Sequence, residues 1–281
     1  MADGFQVPPG LAAITTYGTI TAETANSITQ MVDHNHKRGL TNIDIRFVHG
    51  NLVDKTRNEA AREMLANPAF QYLFMLDADM QWGPNLAEIM LTTAFGDPST
   101  KDFDIIGGYC NLRGEPYLPT IDTGTGTWEP HDAGIGPVEV IRTGGACLLV
   151  KRHVFERMEY PWFGVRPTPR PIDMITEVDN YARIKFDGQN PFEGDQWNAL
   201  LKCARDDAVN QRARNPHPRD WTGTVGEDSN FTDKAKAMGF RIIVQTNAVC
   251  GHVDRKVIWP DDHAQALKRA RERQKWYVGV R

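Results

Sequence analysis

No run of about 18 apolar residues, the length that crosses a bilayer, occurs anywhere in the chain, so neither a membrane span nor a membrane partner is expected. The opening MADGFQVPPG has no basic region followed by an apolar stretch, which argues against a secretory leader and for a cytoplasmic location. Cysteine is scarce: Cys110, Cys147, Cys203 and Cys250 stand far apart with no CxxC pair, which disfavours both a zinc site and a disulfide framework. They read as reduced, buried thiols. An excess of one charge is missing too. The net charge is −4, so no global field marks a nucleic-acid or membrane protein, and local patches must be judged separately. There is no internal repeat, no low-complexity segment, and nothing that signals an obligate protein partner.

What is present is an ordinary globular composition, 41% hydrophobic and 24% charged over 281 residues, enough for a sizeable core in one large domain or two fused halves. From 11 to 110 strands and helices alternate. LAAITT (11–16), IDIRFV (43–48), YLFML (72–76) and FDIIGG (103–108) read as strands. Helices are expected over 22–39, with Ala25, Ile28, Met31 and Val32 inward and Gly39 as a stop, over 52–65, with Ala60, Ala61, Met64 and Leu65 inward, and over 85–95. This spacing predicts an α/β fold with a parallel sheet covered on both faces.

Beyond 110 the rhythm changes. Residues 111–137 read as loop or short edge strands, and 138–158 as a strand, a Gly-Gly break, an apolar strand and a short helix. The proline- and aromatic-rich 160–193 reads as a long structured loop or lid, followed by a helix over 194–210 and a loop over 215–226. A helix stopped by Gly239, the strand FRIIVQ, a turn ending in Gly251-His252 and a basic C-terminal helix complete the chain.

Four features could carry chemistry. In YLFMLDADMQWGP an apolar strand ends in Asp77-Ala78-Asp79, and in open α/β sheets ligands bind beyond the carboxyl ends of strands. Two carboxylates there can hold a hard divalent cation whose other oxygens come from a diphosphate; the plainer reading is a capped turn and a solvated acid. Glu227-Asp228 opens a predicted helix, as first-turn acids complementing its dipole or as a general base. His252 follows a strand as a structural histidine or a ligand. Gly144-Gly145 would let a ligand approach the backbone.

Taken in order, FMLDADM, RTGGACLLVKRHVFERM and GEDSNFTDKAKAMGFRIIVQTNAVCGHV resemble the GT-A family of nucleotide-sugar-dependent glycosyltransferases over residues 11–255. The small members found in bacteriophages, some of which modify DNA, are the most similar. The resemblance implies a GT-A (Rossmann-like), mostly parallel sheet flanked by helices, with an acceptor-side mixed sheet and long loops. It implies one domain with a nucleotide-sugar half (8–110), an acceptor and catalytic half (111–260) and a basic helix (261–281). It also implies a divalent cation, Mn²⁺ or Mg²⁺, held by Asp79 and His252 with Asp77, and a nucleoside-diphosphate sugar, a UDP-sugar first, as donor. Thr15, Thr16 and Tyr17 would lie by the base and ribose, and Arg57 and Asn58 beside the nucleotide. Ala78, Gly144 and Gly145 would line the donor site. Asp228 matches the acid that acts as base in inverting members, next to Glu227. The family's proline-rich opening is replaced here by ITTYGTITAET, where Tyr17 is the candidate to stack on the base.

Basic residues cluster outside the donor half: Arg166, Arg170, Arg212, Arg214 and Arg219, then Lys268, Arg269, Arg271, Arg273 and Lys275. Trp162, Phe163, Trp221 and Trp276 lie among them. The combination suits a DNA acceptor such as a hydroxymethylated base, flipped out of the duplex, or else a packed lid and a solvated helix. A small-molecule, glycan or protein acceptor stays open. So do a sugar nucleotidyltransferase, although its glycine-rich basic signature is missing, and a non-catalytic sugar-nucleotide binder. DHNHK (33–37) spells an HNH motif only superficially, because residues 34 and 36 point to different faces of a helix.

Overall fold

β1 (Gly10–Thr16) is buried along its whole length, because it lies inside the sheet with a strand on each side. The computed structural model describes residues 6–113, 117–167, 224–253, 257–258 and 268. After β1 come α1 (Ala22–Lys37), β2 (Ile43–His49), α2 (Val53–Ala66), β3 (Tyr72–Asp77), β4 (Met80–Trp82), α3 (Leu86–Leu91) with a π-turn (Thr92–Gly96), and β5 (Ile105–Cys110). The chain continues through β6 (Ile121–Asp122), β7 (Pro137–Val140), β8 (Arg142–Thr143), β9 (Cys147–Lys151) and α4 (Arg152–Arg157). β10 (Arg166–Pro167), β11 (Thr224–Val225), α5 (Glu227–Ala237), β12 (Ile242–Val253) and β13 (Val257–Ile258) complete the described elements.

The main sheet runs β13-β12-β5-β9-β3-β1-β2, with β4 and β7 also on β12. β1 is parallel to β2 and β3, and β5 to β12, while β9 runs antiparallel between β3 and β5. Alternation along the strands sorts the core into two layers. Ala12, Ile14, Phe74, Leu76, Ile106 and Leu149 face α1 and α3. Leu11, Ala13, Leu73, Met75, Leu148 and Val150 face α2, α4 and α5. Contacts divide the chain into two units, one of Met1–Gly164 with Glu227–Arg281 and one of Val165–Gly226. In the second, the described residues form the β10–β11 antiparallel ladder. Among the described residues no helix is long and apolar enough to cross a membrane. The helix expected over 194–210 and most of the basic tail lie outside the described residues; Lys268 is exposed.

Two expectations need correction, and a choice between two readings is decided. First, α1 is rotated from its apolar pattern: Thr24, Ser27, Met31 and Asn35 are buried, Ala25 and Ile28 only partly, and Val32 is 45% exposed. The reason is hydrogen bonding. Thr24 Oγ1 lies 2.9 Å from the Ala78 carbonyl and 2.7 Å from that of Met80, and Ser27 Oγ accepts from the Trp82 amide at 3.1 Å. Thr21 caps the helix and donates its own amide to the Ala78 carbonyl at 3.1 Å. α1 therefore buries polar groups that hold the Asp77–Trp82 segment in place, a contact that apolar periodicity does not register. Thr24→Val is expected to cost about 1–3 kcal/mol in urea unfolding, the range for a lost buried hydrogen bond, and Val32→Ser less than about 0.5 kcal/mol.

Second, β12 does not stop after FRIIVQ. It continues to Val253 through a bulge at which Gln245 and Val249 oppose the consecutive residues Gly108 and Tyr109. His252 is thus within the strand rather than past it. Third, of the two readings open for Trp162 and Phe163, stacking groups beside basic residues or packed aromatics, the packed one holds. Phe163 is fully buried and stacks on Phe231 of α5 with ring centres 4.3 Å apart, while Trp162 Nε1 donates to the Phe155 and Met158 carbonyls.

Cys110, Cys147 and Cys250, distant in sequence, are buried in one core layer as free thiols; Cys203 lies outside the described residues. Cys110 and Cys250 are register partners on β5 and β12.

Candidate functional site

Asp77 ends β3, a strand flanked by β1 and β9, and its carboxylate is fully engaged by the protein. Thr15 Oγ1, from the register partner on β1, donates to Oδ1 at 2.7 Å. Arg57 Nη2 donates to Oδ1 at 3.1 Å and Oδ2 at 3.0 Å, and Nη1 of the same guanidinium donates to Glu227 at the start of α5. Arg57 is only 2% exposed. Burial opposes its charge most strongly, but Asp77, Glu227 and Asp228 together raise its pKa above the ordinary guanidinium value. Burial also lifts Glu227 above the usual carboxylate range against the pull of Arg57, with Asp228 adding to the rise.

Gly144-Gly145 has a packing explanation. A Cβ on Gly145 would come within 2.3 Å of Arg57 Nη1 and 2.5 Å of its Cζ. A Cβ on Gly144 would stand 3.0 Å from the Thr120 side chain. The missing side chain of Gly145 admits a buried arginine, and the Gly145 amide donates to Asp228 Oδ2 at 3.3 Å. Asp228 Oδ1 accepts from the Ser229 amide at 2.6 Å. Stacking of Phe231 on Phe163 and a bond from Asn230 Nδ2 to the Gly164 carbonyl at 2.6 Å anchor the helix that carries both acids.

The β4–β12 ladder brings the backbone of His252 close to that of Asp79. β4 pairs antiparallel with β12, His252 opposite Met80, and the Val253 amide donates to the Asp79 carbonyl at 2.7 Å. His252 Nδ1 lies 2.6 Å from the Asn111 carbonyl. A carbonyl only accepts, so Nδ1 carries hydrogen and Nε2 is the nitrogen that can coordinate, the usual arrangement of a metal-binding histidine. The Asp79 side chain, about one-third exposed, pairs with Arg113.

The remaining predicted residues divide by role. Tyr17 is 54% exposed, and its phenol pKa is raised by partial burial and then by the charge of Asp77, with smaller contributions from Glu227 and Asp79. Thr16 Oγ1 donates to the Thr19 carbonyl and accepts from the Gly18 amide, shaping the turn beneath Tyr17. Ala78 contributes backbone only, its amide to the Thr15 carbonyl and its carbonyl to α1. Asn58 holds residue 163 at both ends, Oδ1 accepting from the Phe163 amide at 3.1 Å and Nδ2 donating to its carbonyl at 2.7 Å. Thr15, Arg57, Asp77 and Glu227 are linked by hydrogen bonds, as are Gly145 and Asp228, while His252 lies opposite Met80 on the β4–β12 ladder and Asp79 directly precedes that ladder. Arg113 is the residue that the sequence reading passes over. It lies three residues past Cys110, the end of β5, a strand expected from sequence to end at Gly108.

Among the described residues no group of three or more His, Cys, Asp or Glu is arranged to hold a metal by itself. A carboxylate and an imidazole, as on Asp79 and His252, are donor types that a divalent cation accepts alongside water and a diphosphate. Asp77, with both oxygens turned to Thr15 and Arg57, is placed to support the site from beneath.

No protein-family profile matches the sequence, and no curated protein sequence matches it either. Solved structures do. A197 from STIV superposes with a TM-score of 0.52 at 16% identity, covering 90% of this chain and 91% of its own. GalNAc-T7, solved with UDP, GalNAc and Mn²⁺, gives 0.47 at 9% identity over 88% of this chain and 43% of that one. S. aureus TarS 1-349 in complex with UDP-GlcNAc gives 0.32 at 10% identity over 53% and 46%. The likeness to A197 spans both chains almost entirely and is one of fold. This chain has a mixed α/β architecture, a central sheet whose long strands β1, β2 and β3, and β5 with β12, pair in parallel, covered by helices on both faces, and it shares that fold with A197.

Proposed function

We propose that the protein is a metal-dependent glycosyltransferase that moves a sugar from a nucleoside-diphosphate sugar, a UDP-sugar first, to an acceptor hydroxyl. The observation that carries this reading is a histidine, His252, whose Nδ1 is held by a backbone carbonyl on a strand whose next residue, Val253, bonds the Asp79 backbone, together with Asp228 on a glycine amide. The order of motifs and the fold agree with this reading.

In this reading Asp79 and His252 hold Mn²⁺ or Mg²⁺, which when bound neutralises the donor's diphosphate. Tyr17 and Thr16 offer a platform and a turn to the nucleotide. Asp228 takes the proton of the acceptor hydroxyl as its oxygen bonds to the anomeric carbon and the bond from that carbon to the diphosphate breaks. Thr15 and Arg57 hold Asp77, and Arg57 also holds Glu227, so the floor of the site is fixed before substrate arrives.

DNA as acceptor, such as a hydroxymethylated base, draws support from Arg170, Arg212, Arg214, Arg219, Trp221 and the basic tail, all outside the described residues except the exposed Lys268. The burial of Trp162 and Phe163 removes two aromatics from that argument. Nucleoside mass analysis after incubation with modified and unmodified DNA tests it.

The donor site is tested by thermal shift across UDP, GDP, CDP and TDP with and without Mn²⁺ or Mg²⁺. At 100 times its Kd a ligand adds about 2.7 kcal/mol, a shift of several degrees, which should require nucleotide and metal together and vanish in Asp79→Ala. Stabilisation that needs no metal and survives the mutation would overturn the site. Release of nucleoside diphosphate marks glycosyl transfer, and release of pyrophosphate would mark a nucleotidyltransferase instead.

A further inference from the structure

The short segment that follows β5 touches both proposed metal ligands. Asn111 accepts the hydrogen of His252 Nδ1 on its carbonyl, and two residues later Arg113 pairs through Nη2 with Asp79 Oδ2. The segment is itself tied down. Asn111 bridges Pro119, and the Leu112 amide donates to the Leu118 carbonyl at 2.9 Å, so Arg113 projects from the base of a closed loop rather than from a free tail. The two contacts differ in kind. The Asn111 bond is buried and turns His252 toward coordination, whereas the Arg113 pair is part-exposed, with its two side chains 44% and 34% accessible.

The guanidinium occupies one of the two Asp79 carboxylate oxygens, Oδ2, and its positive charge repels a cation approaching either of them. A part-exposed pair of this kind is weak enough to open. Asp77 cannot substitute, because both of its oxygens are committed to Thr15 and Arg57. From these contacts we infer that Arg113 is a built-in counter-ion for Asp79, which a divalent cation must displace and which then turns to the diphosphate that accompanies it. The inference rests on the proposed metal site. Its consequence is an order of binding: metal alone binds weakly, and metal with nucleoside diphosphate binds well, because only the diphosphate gives the released guanidinium a new anion.

Direct titration of Mn²⁺, followed by the electron paramagnetic resonance signal of the free ion, tests this without any turnover. Wild type, Arg113→Ala, Arg113→Lys and Asp79→Ala are compared with and without UDP. Arg113→Ala is expected to bind Mn²⁺ alone roughly fivefold more tightly than wild type, the upper end of what a part-exposed ion pair withholds. It should also lose most of the gain that UDP confers on wild type. Arg113→Lys should stay near wild type on the first measure. If Mn²⁺ binding depends on Asp79 but Arg113→Ala binds it no more tightly, the counter-ion role is wrong and the metal site stands. If binding is indifferent to Asp79→Ala, the metal site falls and this inference with it. Arg113 is part-exposed, and an unchanged urea midpoint confirms that its variants are folded.

Discussion

Replacing Arg57 with methionine is expected to lower the unfolding free energy by about 3–5 kcal/mol, the cost of breaking a buried ion pair from one side. Asp77 and Glu227 would both remain, largely buried and without their counter-charge, while methionine fills much of the arginine's volume and so limits the contribution of a cavity. Arg57→Lys should recover only part of the loss, since an ammonium cannot donate bidentately to Asp77 and also reach Glu227. The pH dependence discriminates this mechanism from loss of packing. Glu227 already sits above the usual carboxylate range through burial, and removing Arg57 raises it further. A carboxyl group whose folded pKa exceeds its unfolded value penalises the fold above the folded pKa, and the penalty is relieved as pH falls through it. The deficit of Arg57→Met should therefore be greatest at neutral pH and shrink toward acid. Urea unfolding between pH 4 and pH 8 checks this. A deficit constant across that range would mean that packing, not charge, is what Arg57 provides.

Asp228→Asn is expected to reduce turnover by about 10²–10⁴-fold, the contribution of a positioned general base, while leaving the metal-dependent nucleotide stabilisation intact. The substitution is mild in structure. An asparagine oxygen still accepts from one of the two amides, Gly145 or Ser229, that bond to Asp228, and α5 keeps the aromatic stack beneath it. Nucleoside diphosphate release and thermal shift, measured on the same preparation, separate the two effects. A loss of less than tenfold would remove Asp228 from proton transfer and favour a retaining route. A loss of nucleotide stabilisation would place Asp228 in donor binding.

The alternation of strand and helix was legible because burial on two faces of a sheet imposes its own period, and β1, β3 and β5 appear where apolar runs predict them. The acids and the glycine pair stand out in the sequence, but their partners do not. Asp77 and Asp79 look equivalent in LDADM. Only the fold shows that one is taken by Arg57, 20 residues away, and the other faces Arg113, 34 residues away. The glycine pair likewise could not reveal whether it made room for a ligand or, as found at Gly145, for a buried guanidinium. The face of α1 was misread for a related reason. Hydrophobic periodicity counts apolar side chains, and this helix docks through Thr24 and Ser27, whose hydroxyls complete the backbone bonding of the segment that carries both acids.

The irregularity in β12 has one more consequence. Before it, Ile242 and Val244 face the layer of α2 and α5; after it, Ala248 and Cys250 face the opposite layer, although all four have even numbers. Three residues inserted against a single step of β5 reverse the parity of the strand. His252, two positions beyond Cys250, inherits the reversed phase. Removal of one residue from the stretch 246–248 would leave every later residue present and turn the imidazole to the wrong side of the sheet.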